Sequence, residues 1–144
     1  MILAQISDTH IDPENPNGAD RVSDLERCVA DINRLDPLPD AVIHTGDLVH
    51  NGTPAKYRLA ASILGALKIP LYVAAGNRDD RAAIRLAFPT GRDLLPDTAF
   101  VQYSVDDYPV RLIALDTLSA TTNMGDFCDV RAEALDKRNV PGAR

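Results

Sequence analysis

The sequence has no tryptophan, only 5% aromatic residues, two cysteines and three histidines among 144 residues. Cys28 and Cys128 lie far apart and form no Cys-x-x-Cys pair, and no zinc-finger spacing occurs, so reduced thiols in a cytoplasmic protein are expected. An excess of positive charge is missing too. The net charge is −6, and no basic stripe is interleaved with aromatics, which argues against a nucleic-acid polymer as partner. No apolar run is long enough to span a bilayer, and Met1 leads into a strand rather than a positively charged leader. No membrane partner is therefore expected. The phosphate-cradling loop Gly-x-x-x-x-Gly-Lys, the dinucleotide loop Gly-x-Gly-x-x-Gly and the serine nucleophile elbow are all absent.

The bulk composition, 45% hydrophobic and 25% charged, is that of an ordinary folded chain, and the length fits a single domain over 1–144. Strands and helices alternate. Strands are predicted at 1–7, 41–45 and 71–75. A helix over 20–35 follows from Val22, Leu25, Val29 and Ile32 at helical spacing, with Pro37 and Pro39 blocking its continuation. The polar loop before it, 12–18, is rich in turn formers. A second helix reaches 67, with Thr53 as N-cap, Pro54 in the first turn, and Tyr57, Ala60, Leu64 and Leu67 on one face. A short helix is predicted over 80–88. The character changes near Pro96: 100–105 and 110–115 read as an antiparallel pair, followed by a loop over 117–126 and a helix over 130–138. The expected class is α/β, one mainly parallel sheet plus part of a second.

Each of the first three strands runs into a turn loaded with polar ligands: Ser7-Asp8-Thr9-His10, Thr45-Gly46-Asp47 and Gly76-Asn77-Arg78-Asp79. Ligands of parallel α/β sheets gather at the carboxyl ends of the strands. Asp8, His10, Asp47 and Asn77 can thus meet at one sheet edge, and carboxylate, imidazole and amide oxygen together suit a divalent transition metal. Taken singly, each residue has a plainer role: Asp8 terminating a strand, His10 bonding within its loop, Asp47 turning after a glycine, Asn77 tolerating a left-handed turn.

In order and strand context these motifs resemble the calcineurin-like metallophosphoesterases, in particular the bacterial cyclic-nucleotide and glycerophosphodiester phosphodiesterases. That family's pattern is Asp-x-His, Gly-Asp-x-x, Gly-Asn-His-Asp/Glu, a lone His, then Gly-His-x-His. Here the first three read Asp8-Thr9-His10, Gly46-Asp47-Leu48-Val49 and Gly76-Asn77-Arg78-Asp79, and the last two do not occur. The resemblance runs from Met1 to about Leu135, with Asp116 also in place, and does not extend over 137–144. It implies a sheet sandwich flanked by helices, here the amino-terminal half, a truncated metallophosphoesterase-like domain.

The resemblance further implies two divalent or transition metal ions, of iron, manganese, zinc or cobalt. Asp47 would bridge them, Asp8 and His10 would complete part of one site, and Asn77 would enter the other. The activity implied is hydrolysis of small phosphodiesters, cyclic nucleotides or glycerophosphodiesters, by metal-activated water without a covalent enzyme intermediate. Arg78 replaces the family's histidine. It cannot give up a proton at neutral pH but can clamp phosphate oxygens; the alternative is a solvent-facing arginine paired with Asp79 or Asp80. His50 is a candidate substrate contact or a solvated loop residue. His44 is expected in the core rather than as a ligand. Asp116 is expected to cap a loop, and Asp79 and Asp80 to cap the short helix. The absent histidine motifs also leave a second expectation, a catalytically silent domain that self-associates into a homo-oligomer or takes the missing ligands from a partner chain.

Overall fold

The computed structural model of the chain describes residues 1–16, 19–89 and 100–139. Strands β1 (Leu3–Ile6), β2 (Ala41–His44) and β3 (Leu71–Val73) pair in parallel in the order β1-β2-β3. Ile6 stands opposite His44, and His44 opposite Val73, so the three carboxyl ends are level. β2 is the central strand, with Ala41, Val42 and His44 fully buried, which accounts for its unbroken apolar start.

Helices α1 (Ala19–Ile32) and α2 (Pro54–Leu64) form the crossovers. Strands that advance one place at a time through right-handed crossovers put both helices on the same face. Leu25, Val29 and Ile32 from α1 and Tyr57, Ala60 and Leu64 from α2 join Val42 and Val73 in one apolar core, as the helical spacing predicts. Both helices stop about a turn earlier than expected. Asn33, the first residue after α1, donates its amide to Ala66 O (2.8 Å) and accepts from Lys68 N (2.9 Å). It satisfies two backbone groups just beyond α2 and ties the two helix ends together. Pro54 opens α2 as anticipated, but Thr53 caps with its backbone carbonyl, not its side chain.

The opposite sheet face receives the hairpin of β4 (Tyr103–Val105) and β5 (Leu112–Ala114), antiparallel as predicted, β4 starting later than expected and β5 shorter at both ends. The Tyr103 hydroxyl donates to Val73 O (2.8 Å), and the Tyr72 and Tyr108 rings meet edge-on at 6.2 Å. Helices α3 (Arg81–Ala87) and α4 (Asp129–Asn139) complete a mixed α/β fold. The predicted change of character near Pro96, positions 17–18 of the polar loop and positions 140–144 of the tail lie outside the described residues. No described helix is long and apolar enough to cross a membrane, and both cysteines are free.

Asp116 ties the hairpin to α3 and α4. Its buried carboxylate takes the Arg81 fork at 2.8 Å on each oxygen and the amides of Val101 (2.8 Å) and Leu118 (3.0 Å). Burial alone would raise its pKa, but the Arg81 fork and these amides hold it below the usual carboxylate range. Arg131 donates to the Asp116 carbonyl (2.9 Å) and lies over the Phe100 ring, 4.8 Å from its centroid. Asp116 therefore does the structural work expected of it, through more partners than one loop. Asp116→Ala strands the Arg81 charge in a half-buried position, and the expected cost is about 3–5 kcal/mol. Urea denaturation measures it; a loss below about 1 kcal/mol contradicts this account.

Candidate metal centre

The turns after β1, β2 and β3 are joined by their own backbones. Asp8 N donates to Gly46 O (3.0 Å), His10 N to Asp47 O (2.9 Å) and Ile11 N to Leu48 O (2.9 Å), which extends the parallel pairing beyond the strands. The second and third turns touch more closely. A Cβ on Gly46 would fall 2.3 Å from Gly76 N, and one on Gly76 would fall 2.3 Å from both Asp47 N and Asp47 Oδ1. Only glycine fits at either position, and Gly46 also sits at φ +111°.

This joining brings Asp8, His10 and Asp47 together, with one ligand atom of each within 4.8 Å of the others. His10 Nε2 lies 3.5 Å from Asp47 Oδ2 and 3.8 Å from Asp8 Oδ1. These gaps are too long for good hydrogen bonds. Donors sharing a cation with bonds near 2.1 Å stand about 3.0–3.4 Å apart, so a small inward shift is all that ligation requires. His10 Nδ1 is buried without a hydrogen-bond partner. Neither ring nitrogen is therefore committed to a close hydrogen bond among the described residues. Asp8, His10 and Asp47 all take left-handed backbone conformations, at φ +55°, +43° and +54°. Such conformations cost about 1–3 kcal/mol each and cluster at functional sites. The donor set, its spacing and its strain fit a divalent cation.

The other predicted site residues border this cluster. Asn77 and Arg78 are exposed. Arg78 N donates to Asp47 Oδ1 (2.9 Å), which fixes its Cα beside the cluster. Among the described residues its guanidinium forms no ion pair with Asp79 or Asp80. Asn77 lines a pocket of about 220 Å³ with Thr117, Ser119 and Asn123. His50 stands edge-on to His10, with ring centroids 6.0 Å apart.

His44 is a core residue, as expected. It is fully buried, its Nε2 pairs with Thr9 Oγ1 (3.0 Å), and its Nδ1 accepts from Gly46 N (3.2 Å). Thr9 passes the bond on to Leu48 O (2.9 Å), so this histidine pins the first turn to the second.

Asp80 caps α3 by accepting from Ala83 N (2.7 Å), as predicted. Asp79 does not cap it, and that expectation is corrected. Its buried carboxylate turns inward, accepting Asp47 N (2.8 Å), Gly76 N (2.9 Å), Leu48 N (3.1 Å) and the Tyr57 hydroxyl (3.0 Å). Burial lifts this carboxyl above its usual range although all four donors oppose the shift. Burial, then the Asp79 charge, push the Tyr57 phenol far up, so it stays a neutral donor. A second tie was also missed. Lys56 Nζ, buried, bonds Asp12 (2.7 Å) in the first turn and His50 O (3.4 Å) in the second. The available signal was the pair Lys56-Tyr57 on an otherwise apolar helix face, because a buried tyrosine hydroxyl or ammonium requires a partner.

With this geometry in view, comparison with known proteins is informative. The calcineurin-like phosphoesterase family model matches residues 1–129. A probable glycerophosphodiester phosphodiesterase GpdQ of Arcobacter nitrofigilis is 33% identical over 141 residues, covering 96% of this chain and 51% of the relative. A glycerophosphodiester phosphodiesterase GpdQ of Enterobacter lignolyticus is 36% identical over 133 residues, 90% of this chain and 48% of that one. A probable cyclic nucleotide phosphodiesterase of Rhodopseudomonas palustris is 35% identical over 141 residues, 94% and 50% respectively. The chain thus spans about half the length of these curated relatives.

His44 generates a pH prediction. Desolvation lowers its pKa from 6.5 to about 4, and a proton on Nδ1 would face the Gly46 N–H. The folded state refuses a proton that the unfolded chain accepts. The stability this provides is complete above pH 6.5 and is lost as pH falls from 6.5 towards about 4, an effect of about 3 kcal/mol. Urea titrations in EDTA at several pH values test this. The His44→Gln variant should show a flatter profile over that window, and an equally steep one contradicts the assignment.

Proposed function

The chain belongs to the calcineurin-like phosphoesterase family, and from that premise we propose that it acts in metal-dependent hydrolysis of small phosphodiesters, of the glycerophosphodiester or cyclic-nucleotide type. The observation that supports this most is the Asp8, His10 and Asp47 cluster, strained in its backbone and with an uncommitted imidazole. Asp8, His10 and Asp47 would hold one ion, and Asp47 and Asn77 would contribute to a second, drawn from iron, manganese, zinc or cobalt. A dication there supplies Lewis acidity, which screens phosphoryl charge and strengthens water as a nucleophile.

The chain's own residues then divide the remaining work. Asp47 holds its carboxylate still because Arg78 N and the Gly76 backbone crowd one oxygen. Arg78 grips a non-bridging phosphate oxygen through its fork and stays charged throughout, so it stabilises anionic oxygen without protonating the leaving group. Asn77 and His50 contact the phosphate beside the cluster. The small polar pocket of Asn77, Thr117, Ser119 and Asn123 accepts the hydroxyl-bearing alcohol portion. Water forms the new bond to phosphorus, the ester P–O bond breaks, and the departing alkoxide takes its proton from solvent. The partners assigned are a small phosphodiester and a second copy of the chain, which would cover the exposed Val110, Ile113 and Leu115 of the hairpin region.

Two measurements test this reading. Hydrolysis of bis-p-nitrophenyl phosphate with added manganese should fall at least about 100-fold in Asp47→Asn; wild-type turnover no greater than that of the variant removes the activity from this chain. Light scattering should give a dimer or larger at high concentration, and a strict monomer removes the self-association.

A further inference from the structure

We propose that Tyr57 is a positioning residue for the cation centre, acting through Asp79 on the turn that carries Asp47. The inference rests on the cation-binding reading above and adds to it the device that sets the affinity of the site.

Asp47 at φ +54°, following Gly46 at φ +111°, bends its turn so that the Asp47 and Leu48 amides point away from any strand partner. Both are satisfied by one side chain. Asp79 Oδ2 takes Asp47 N and Gly76 N, and Oδ1 takes Leu48 N. A carboxylate on a two-bond stem can rotate, and its direction decides where the Asp47 backbone lies. The Tyr57 hydroxyl fixes that direction. It donates to Asp79 Oδ1 (3.0 Å) and accepts from Asp80 N (2.6 Å), so it is held at both ends. The ring beneath it cannot move either. It is fully buried, and Gly52 closes over it so tightly that a Cβ there would fall 2.5 Å from Tyr57 Cε2.

The first turn hangs on the same backbone, through Asp8 N to Gly46 O and His10 N to Asp47 O, and is pinned separately by the His44–Thr9 link. Removing the Tyr57 hydroxyl therefore loosens Asp47 first, and Asp8 and His10 through these backbone bonds. It also frees one lone pair of Asp79 and orphans Asp80 N.

A merely structural tyrosine would lower stability without touching the cation. Tyr103 is the control: it is also buried, its hydroxyl donates to a backbone carbonyl at Val73 (2.8 Å), and it lies on the hairpin face. The experiment is calorimetric titration of the full chain with manganese chloride alone, with thermal melts of the same samples. Tyr57→Phe should bind about tenfold more weakly, the scale of one hydrogen bond to a charged group, and Tyr103→Phe should match wild type. Asp79→Asn, which keeps the volume but turns an acceptor into a donor, should weaken binding further, and it reads the same link if Tyr57→Phe does not fold. Unchanged affinity in Tyr57→Phe, or equal weakening in Tyr57→Phe and Tyr103→Phe, overturns the proposal. A flat isotherm for the wild type fails at an earlier step, by removing the cation reading on which the proposal stands.

Discussion

The backbone of the turn after β2 lies against the backbone of the turn after β3, with Gly46 facing Gly76 and no room for a Cβ on either. Everything at this edge of the sheet depends on that approach. It lets Arg78 N reach the Asp47 carboxylate, lets Asp79 collect amides from both turns, and stacks the ligand-bearing positions one strand apart. A bulkier residue at either position would move two turns at once, and the donors would separate by more than a metal–ligand bond can span.

Electrostatics makes the same edge incomplete without positive charge. Asp8 and Asp47 point their carboxylates towards one imidazole, in a chain whose net charge is already −6. The buried acids elsewhere are matched: Asp12 by Lys56, Asp116 by Arg81, Asp79 by four hydrogen-bond donors. Asp8 and Asp47 accept one hydrogen bond each, from Ser7 Oγ and Arg78 N, and among the described residues the one group paired with them that can carry positive charge is His10, a full cation only when protonated. The contrast separates a cluster that a cation would complete from acids used to lock the fold.

Much of this was legible in the sequence. The three strand-to-turn motifs announced both the parallel sheet and the polar side chains gathered at its edge, because an apolar run ending in Gly-Asp or Asp-x-His combines a strand signal with a turn signal. His44 was readable as a core residue from its place within β2. Less legible was anything decided by side-chain direction. Asp79 and Asp80 are adjacent acids before a helix and look alike in sequence, yet one caps α3 and the other turns inward to the Asp47 turn. Asp12 belongs to a run of turn formers, and only its burial against Lys56 distinguishes it. Asn33 ties the end of α1 to the segment after α2 by reaching across 33 positions to Ala66, a contact that no local pattern encodes.

The strain at the cluster has a consequence for stability. Three left-handed non-glycine residues at about 1–3 kcal/mol each are a large share of a typical domain's net stability. They persist because the surrounding bonds over-determine them: backbone pairing from Asp8 to Ile11, the His44–Thr9 link, the Lys56 tie and the Asp79 node. None of these ties removes the carboxylate repulsion itself. A cation that binds only the folded chain would offset it, by about 2.7 kcal/mol at a concentration of 100 times its dissociation constant. Folding and ion binding would in that sense be one equilibrium at this edge. The ties from α2 hold the turns in a shape that the bare carboxylates would relax, and a bound cation would stabilise the same shape from the other side.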